Sequence, residues 1–361
     1  MINLSSPSLT DAAARADLSE ETRRVVAQVQ QMVDVTRSRL ASEHLSPSSR
    51  QLDDQSGFNP KLVLEAPGAD DGSVRYFLHK PMAVVDAART QFVTVLANLL
   101  GIRTPVAVVH EYRIDRALGI GSVGTGQIFL QGYTTPAKLD FLKLHPEAVL
   151  YLFMSRWFND VVGNLHCWWG QLLIRSEPDG RMEDLVMIDF DDAFGSVDPA
   201  FLRAALETHF GKQDIRLRDC QWLARPFGFR TPVEWAPATL DSPYTIYGPL
   251  LHAYVSGSLD VDTHELCRRV MRTAELSPSI IEQAMQPFLE ASTQHLRNPW
   301  VILAAAPNPR FHVDDFRSEF LARLERSRHQ FCAFIARLTA ARGAPHHPVV
   351  SFYACAPDRP Y

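Results

Sequence analysis

The sequence predicts an α+β protein in two parts: a small β-containing first part and a mainly helical second part. β-rich runs are concentrated before residue 137, and helical periodicity dominates from about residue 138. A chain of 361 residues is long enough for two domains or lobes. Apolar residues make up 46% and charged residues 21%, a composition that buries a core and argues against wholesale disorder.

Residues 1–18 are polar and acidic and read as a loose leader without a signal-peptide core. Residues 19–43 place Val25, Val26, Val29, Met32, Val33 and Leu40 at helical spacing. Ser19 is placed to cap that helix, with Glu20 and Glu21 in its first turn. The Ser-rich stretch 44–56 reads as a linker, so 1–54 is expected to be a helical extension.

Residues 55–137 form the expected small β-containing lobe. KLVLEA and SVRYFLHKP flank a turn that contains Gly68 and Gly72, which predicts a hairpin whose second strand carries Lys80. A helix is predicted from Val84 to Leu100, with Ala88, Phe92, Val95, Leu96, Leu99 and Leu100 on its apolar side. Gly101 stops it. TPVAVVHEYRI and GQIFLQGY read as two further strands.

Residues 138–343 form the expected helical lobe. Helical periodicity covers 138–159, 200–208, 262–275, 279–293 and 313–342. Inside it, QLLIR and DLVMIDF read as a hairpin joined by SEPDG. The Pro-rich tail 344–361 is expected to be irregular.

Composition excludes several roles. Lys plus Arg is 36 against 41 Asp plus Glu, so the net charge is −5, and the basic face that nucleic-acid binding needs is not expected. No apolar run reaches the length of a membrane span. Cys167, Cys220, Cys267, Cys332 and Cys355 are scattered, with no CxxC pair. They predict reduced thiols in the cytoplasm rather than a zinc site.

A few residues can carry chemistry. Lys80, a lysine on a strand, can hold phosphate as a point charge. The turn Ser56-Gly57-Phe58-Asn59-Pro60-Lys61 can offer backbone N–H groups to a phosphate. It lacks the spacing of a Walker loop or a GxGxxG turn. Asp189 ends an apolar strand, where its carboxylate suits Mg²⁺, and Asp191 and Asp192 add charge. Three carboxylates this close repel one another unless something positive sits among them. Asn164, His166 and Gln171 lie in a loop between a helix and a strand, and His166 has the ordinary pKa of a general base. The plainer readings stand beside these: a surface lysine, a loop, a solvated acidic turn and a structural histidine. His79 and His110 read as core or surface fillers.

In their order, these pieces resemble the protein-kinase-like fold in its HipA-like branch, which is also similar to the phosphatidylinositol-4-kinase-like branch. The resemblance covers about residues 55–200, under half of the chain. Ser56 to Lys61 looks like the phosphate loop, and Phe77-Leu78-His79-Lys80-Pro81 like the strand bearing the ATP lysine. The helix ending Leu99-Leu100-Gly101-Ile102, followed by Thr104-Pro105, is similar to the small-lobe helix. Gly163 to Gln171 resembles the catalytic loop, and Ile188-Asp189-Phe190 the metal-binding segment.

The resemblance implies a two-lobed protein-kinase-like fold that uses ATP and Mg²⁺. Ser56, Gly57, Lys61 and Lys80 would hold phosphates, and residues near His110-Glu111-Tyr112 would form a hinge that meets adenine. Asp189, Gln171 and Asp191 would serve the metal. His166, Asn164 and Asp160 are the catalytic candidates.

Departures from the family pattern are visible. His166 stands where the family has its catalytic Asp, and Gln171 where it has a metal-binding Asn. Gln91 stands where the lysine-pairing Glu would fall, and Asp191 where a small residue is common. Loss of the proton acceptor costs about 10²–10⁴-fold in rate.

Three functions follow as expectations. The first is an ATP-dependent transferase acting on a protein or other hydroxyl-bearing acceptor. Its nucleotidyl-transfer variant is known in the selenoprotein-O-like family, which has a kinase-like fold without the usual Asp. The second is a catalytically inactive kinase-like scaffold. The third is an unrelated α+β protein.

Overall fold

Five short strands assemble into one antiparallel sheet. They are β1 (Ser46–Pro47), β2 (Leu62–Pro67), β3 (Val74–Pro81), β4 (Val108–Asp115) and β5 (Ile120–Ile128), in spatial order β1-β2-β3-β5-β4. The computed structural model describes residues 8–15, 17–42, 45–48, 61–67, 74–115, 120–136, 139–164, 167, 169–176, 182–190, 193–194, 245–296 and 313–343. The sheet belongs to a unit built from Met1–Gly132 and Glu275–Asp315. The second unit is Tyr133–Ala274 with Phe316–Tyr361. The first carries the antiparallel sheet and the second is mostly helical, so the chain is α+β as its sequence predicts.

Within the first unit, α1 (Leu9–Arg15) precedes α2 (Glu20–Ser42). The segment read as a loose leader is therefore partly helical. Ser8 caps it through Asp11 N–H at 3.2 Å, and the Gln30 side chain accepts from Leu9 N–H at 2.8 Å. Leu9 and Ala13 are buried. So short a helix is marginal alone, and tertiary partners supply what its sequence lacks. Ser19 caps α2 as expected, accepting from Thr22 N–H at 3.2 Å.

Helix α3 (Val84–Leu99) is buried along nearly its whole length from Ala87. Its Phe92 ring stacks at 6.3 Å on Phe288 of α7 (Pro278–Leu296). Gly101 ends α3 as predicted. It takes φ 82°, and Ile102 N–H reaches back to Ala97 O at 2.8 Å.

A polar stripe on α3 fastens the chain that leads into β4. Gln91 Oε1 accepts from Val109 N–H at 2.8 Å, Thr94 Oγ1 from Ala107 N–H at 3.1 Å, and Asn98 Nδ2 donates to Thr104 O at 3.0 Å. Positions i, i+3 and i+7 share one helix face, so three side chains serve one backbone segment.

On the sheet face that carries His79, buried His79 meets half-buried His110. His79 is paired in register with Gly126, which is paired in turn with Val108. His79 Nδ1 lies 3.3 Å from His110 Nδ1, and its Nε2 lies 3.3 Å from Ser122 Oγ. The rings meet edge to face at 5.3 Å, with Tyr112 at 5.8 Å from His79. Gly126 makes room: a Cβ there would stand 2.6 Å from Leu40 and 3.0 Å from His110 Cβ. Burial, the main cause, pushes both imidazoles from the usual 6.5 down to about 4.

In the second unit α4 (Pro146–Val162) is the central helix, and Ala148 to Val162 are all buried. Around it lie α5 (Tyr247–Val255), α6 (Thr263–Arg272) and α8 (Val313–Ala340). Arg156 of α4 lies 4.4 Å over the Phe334 ring, and Trp157 Nε1 donates to Ser327 Oγ at 3.1 Å. The predicted hairpin is present as β6 (Leu172–Ser176) and β7 (Met182–Met187). Residues 200–208 and the tail from 344 lie outside the described residues. Among the described residues no helix is long and apolar enough to cross a membrane.

Candidate functional site

The second unit gathers several of the sequence candidates at the end of α4. Gly163 takes φ 65°, and its N–H returns to Asp160 O at 3.2 Å while Asn164 N–H returns to Asn159 O at 2.9 Å. This pair of bonds is the left-handed stop of a helix, and it sets Asn164 directly beyond α4. Gln171 ends a 3-10 turn (Trp169–Gln171) directly before β6, and its main-chain carbonyl accepts from Ile188 N–H at 2.9 Å. Asp189 follows β7. Phe194 N–H closes the arrangement by donating to Val162 O at 2.7 Å, and Phe158 meets Phe190 edge to face at 5.5 Å. Asn164, Gln171 and Asp189 are thus tied to one end of α4 and one end of the hairpin.

Two oxygens in this set have no hydrogen-bond partner. Asn164 Oδ1 and Gln171 Oε1 are buried acceptors left unsatisfied, in residues 0% and 8% exposed. A buried polar atom without a partner costs about 1–3 kcal/mol, so each invites a ligand.

The orientation of Asn164 is fixed by a chain of bonds. Ser155 Oγ donates to Leu152 O at 2.8 Å and therefore accepts from Tyr247 OH at 3.0 Å. Tyr247 OH in turn accepts from Asn159 Nδ2 at 2.6 Å, which also donates to Ser155 O at 3.0 Å. Asn159 Oδ1 is left to accept from Asn164 Nδ2 at 2.8 Å. Each hydrogen is used once, and the Asn164 oxygen is the atom turned away from the network. Burial holds the Tyr247 hydroxyl protonated by raising its pKa well above normal. Asn159, Ser155 and Tyr247 were not legible as site residues. Tyr247 sits on a helix the sequence did not reveal, 83 residues beyond Asn164.

Asp189 adopts φ 68°. A non-glycine residue there is uncommon, though Asp tolerates the region better than most, and such outliers gather at functional sites. Asp160 is buried, and its main-chain carbonyl accepts from the Arg323 guanidinium as well as from Gly163. Among the described residues no group of three His, Cys, Asp or Glu side chains is placed to hold a metal ion. The side-chain oxygens that the fold brings to this end of α4 are the Asp189 carboxylate and the amide oxygens of Asn164 and Gln171. Such an all-oxygen set fits a hard ion such as Mg²⁺. His166 and Asp191 lie outside the described residues.

The first unit holds the other candidates. Lys80 is 6% exposed on β3, paired in register with Thr125, and lysines are seldom so buried. Gly124 is packed against its carbonyl: a Cβ would stand 1.9 Å from Lys80 O and 2.9 Å from Pro81 Cα. Lys61 is half-buried just before β2, while Ser56 and Gly57 lie outside the described residues. Glu111 is exposed and Tyr112 buried, both on the edge strand β4. Val123, the partner of Glu111, gives its carbonyl to Met82 N–H at 3.0 Å. Glu111 is therefore a non-hydrogen-bonded pair and turns its backbone groups to the outer edge.

Gln91 uses its carbonyl oxygen on Val109 N–H and so fastens β4 to α3. Gln91→Ala should cost about 1–3 kcal/mol in urea denaturation by stranding that N–H. Gln91→Glu, which keeps an acceptor oxygen, should cost less. Equal losses in the two variants would assign the effect to packing.

No family model and no curated protein sequence matches this chain. Among solved structures it is similar to a mutant of the PAN3 pseudokinase from Neurospora crassa, at 12% identity and a TM-score of 0.23. The similarity covers 82% of this chain and 64% of that one, so the chain spans under two thirds of that protein's length.

Proposed function

We propose that this chain is a kinase-like transferase of the HipA-like branch that binds ATP with Mg²⁺. The observation that carries the reading is the pair of buried, unsatisfied oxygens on Asn164 and Gln171, tied to the same end of α4 as the left-handed Asp189. Asp189, Gln171 and Asn164 would hold Mg²⁺, with Asp191 as a further carboxylate. Lys80, with Lys61 and the turn at Ser56 and Gly57, would hold phosphate. Bound Mg²⁺ would neutralise charge on the phosphate oxygens.

For phosphoryl transfer, the acceptor hydroxyl oxygen bonds to the γ-phosphorus as the bond to the β,γ-bridging oxygen breaks. ADP leaves with the electron pair, and the hydroxyl proton passes to His166 or Asp160. In the nucleotidyl variant the α-phosphorus is attacked and pyrophosphate leaves. The acceptor is a hydroxyl group on a protein or another molecule, and the reaction belongs to the cytoplasm.

One observation favours a second reading, a nucleotide-binding scaffold without transfer. Gln91 is an amide already engaged with β4, so α3 supplies no carboxylate at that position.

ATP with Mg²⁺ should raise the melting temperature, by an amount equivalent to about 2.7 kcal/mol at one hundred times Kd. Lys80→Ala and Asp189→Ala should each weaken the shift. Gln171→Leu is the sharper variant. It removes an oxygen that makes no hydrogen bond, so stability without ligand should hold or rise while the Mg²⁺-dependent shift shrinks. No shift at millimolar ATP and Mg²⁺ would overturn the proposal. Label incorporated from γ-labelled or α-labelled ATP would separate phosphoryl from nucleotidyl transfer, and binding without incorporation would establish the scaffold.

A further inference from the structure

Cys267 on α6 and Cys332 on α8 are 65 residues apart in sequence, and both belong to the second unit. Cys332 Sγ donates to the Cys267 carbonyl oxygen at 4.0 Å, which sets the two cysteines side by side. Both residues are half-buried, so a small solute reaches them, whereas Cys167 is buried and donates to Asn164 O at 3.4 Å.

The pair is polarised. The Cys332 S–H is held by the Cys267 carbonyl, and the closeness of the two thiols lowers the Cys267 pKa while it raises that of Cys332. The neighbouring cations do not explain this. Arg268 is engaged by Glu265 at 2.6 Å, and Arg269 by Glu265 at 2.7 Å and Glu147 at 2.7 Å. Cys332 keeps its hydrogen on that carbonyl, so Cys267 is the sulfur that becomes the thiolate, and the thiolate is the nucleophile. Cys332 stands ready as the resolving thiol.

We propose that Cys267 and Cys332 form a peroxide-sensitive disulfide that links α6 to α8. The Cys267 thiolate attacks one oxygen of hydrogen peroxide, the O–O bond breaks, and hydroxide leaves, giving a sulfenic acid. Cys332 sulfur then attacks that sulfur. The S–O bond breaks, water leaves with the Cys332 proton, and the S–S bond forms. In sum two thiols and one peroxide give one disulfide and two waters. The two sulfurs must close to about 2 Å for the bond to form.

The position of the bond gives it a consequence. Between α6 and α8 the chain leaves the second unit for the stretch Glu275–Asp315 of the first, then returns. A disulfide would staple the departure to the return. Closing a long loop stabilises by restricting the unfolded chain. This inference does not depend on the nucleotide reading.

The test oxidises the full-length protein with hydrogen peroxide, blocks remaining thiols and maps the peptides by mass spectrometry. The expected product is a reducible peptide joining Cys267 to Cys332, with a melting temperature several degrees higher than that of the reduced protein. Cys267→Ser and Cys332→Ser should each abolish both effects while melting as wild type does under reducing conditions. If a serine variant melts lower, the Cys267→Ala and Cys332→Ala variants and the peptide map of the wild-type protein decide. Linkage of Cys267 to Cys220, to Cys355 or to a second molecule would overturn the proposal. So would stable sulfinic acid at Cys267 with Cys332 still free.

Discussion

Gly124→Ala is expected to destabilise the protein by at least about 3 kcal/mol in urea denaturation, or to prevent folding. The added methyl would have to stand 1.9 Å from Lys80 O and 2.7 Å from its carbonyl carbon. Both are backbone atoms, so no rotamer change relieves the clash. β3 and β5 must part at the Lys80–Thr125 pair. Gly132→Ala is the control. Gly132 has φ 78° with nothing within 4 Å of the new methyl, so it carries only backbone strain of about 1 kcal/mol. Comparable losses in the two variants would show that strand separation is not the cause. If Lys80 holds phosphate, a partly folded Gly124→Ala protein should also lose its ATP-dependent thermal shift, because the strand that aims the ammonium has moved.

Acid should destabilise the protein through His79 and His110 before general acid denaturation sets in. Both imidazoles fall from 6.5 to about 4 on burial, with Glu111 the only charge that raises His110 and the Thr125 backbone that raises His79. A depressed value means that the unfolded chain binds protons more readily than the fold does. The contribution is complete above pH 6.5 and is lost as pH falls through 4. The shift in each corresponds to about 3 kcal/mol, and allowing for solvent that reaches His110, about 3 kcal/mol is expected for the pair. Denaturation of wild type and His79→Met between pH 7 and 4 isolates the effect from the carboxylates common to both. The variant should show a clearly shallower loss; parallel curves would remove the histidine pair from the account.

What could be read in the sequence follows where local pattern decides structure. The helices near 20–42, 84–99 and 313–340 announce themselves by apolar spacing, and Ser19 and Gly101 mark ends that the structure keeps. The β6–β7 hairpin is legible from its turn. The helix Leu9–Arg15 is not, because a polar seven-residue segment has little signal and is held by Gln30 from another helix. The strand read as Gly126 to Tyr133 is instead Ile120–Ile128. Its glycines at 121, 124 and 126 hid it, since strand propensity penalises the residues that close packing here requires. At the site, Asn164, Gln171 and Asp189 were visible as residue types in a suggestive order. Their unsatisfied oxygens, and the Asn159–Tyr247 relay that turns Asn164, were not, because hydrogen-bond satisfaction between distant segments leaves no local trace.

The stretch 275–315 completes the sheet-bearing unit, with Phe288 on Phe92, although the chain has meanwhile entered the other unit and must return to it. No single scission can therefore yield either half intact. A gene fragment stopping at residue 132 would leave Phe92 facing water, and a nascent chain leaving the ribosome cannot finish its earliest part until residue 288 has emerged. Anyone dissecting this protein should splice residues 1–132 to 275–315 rather than truncate.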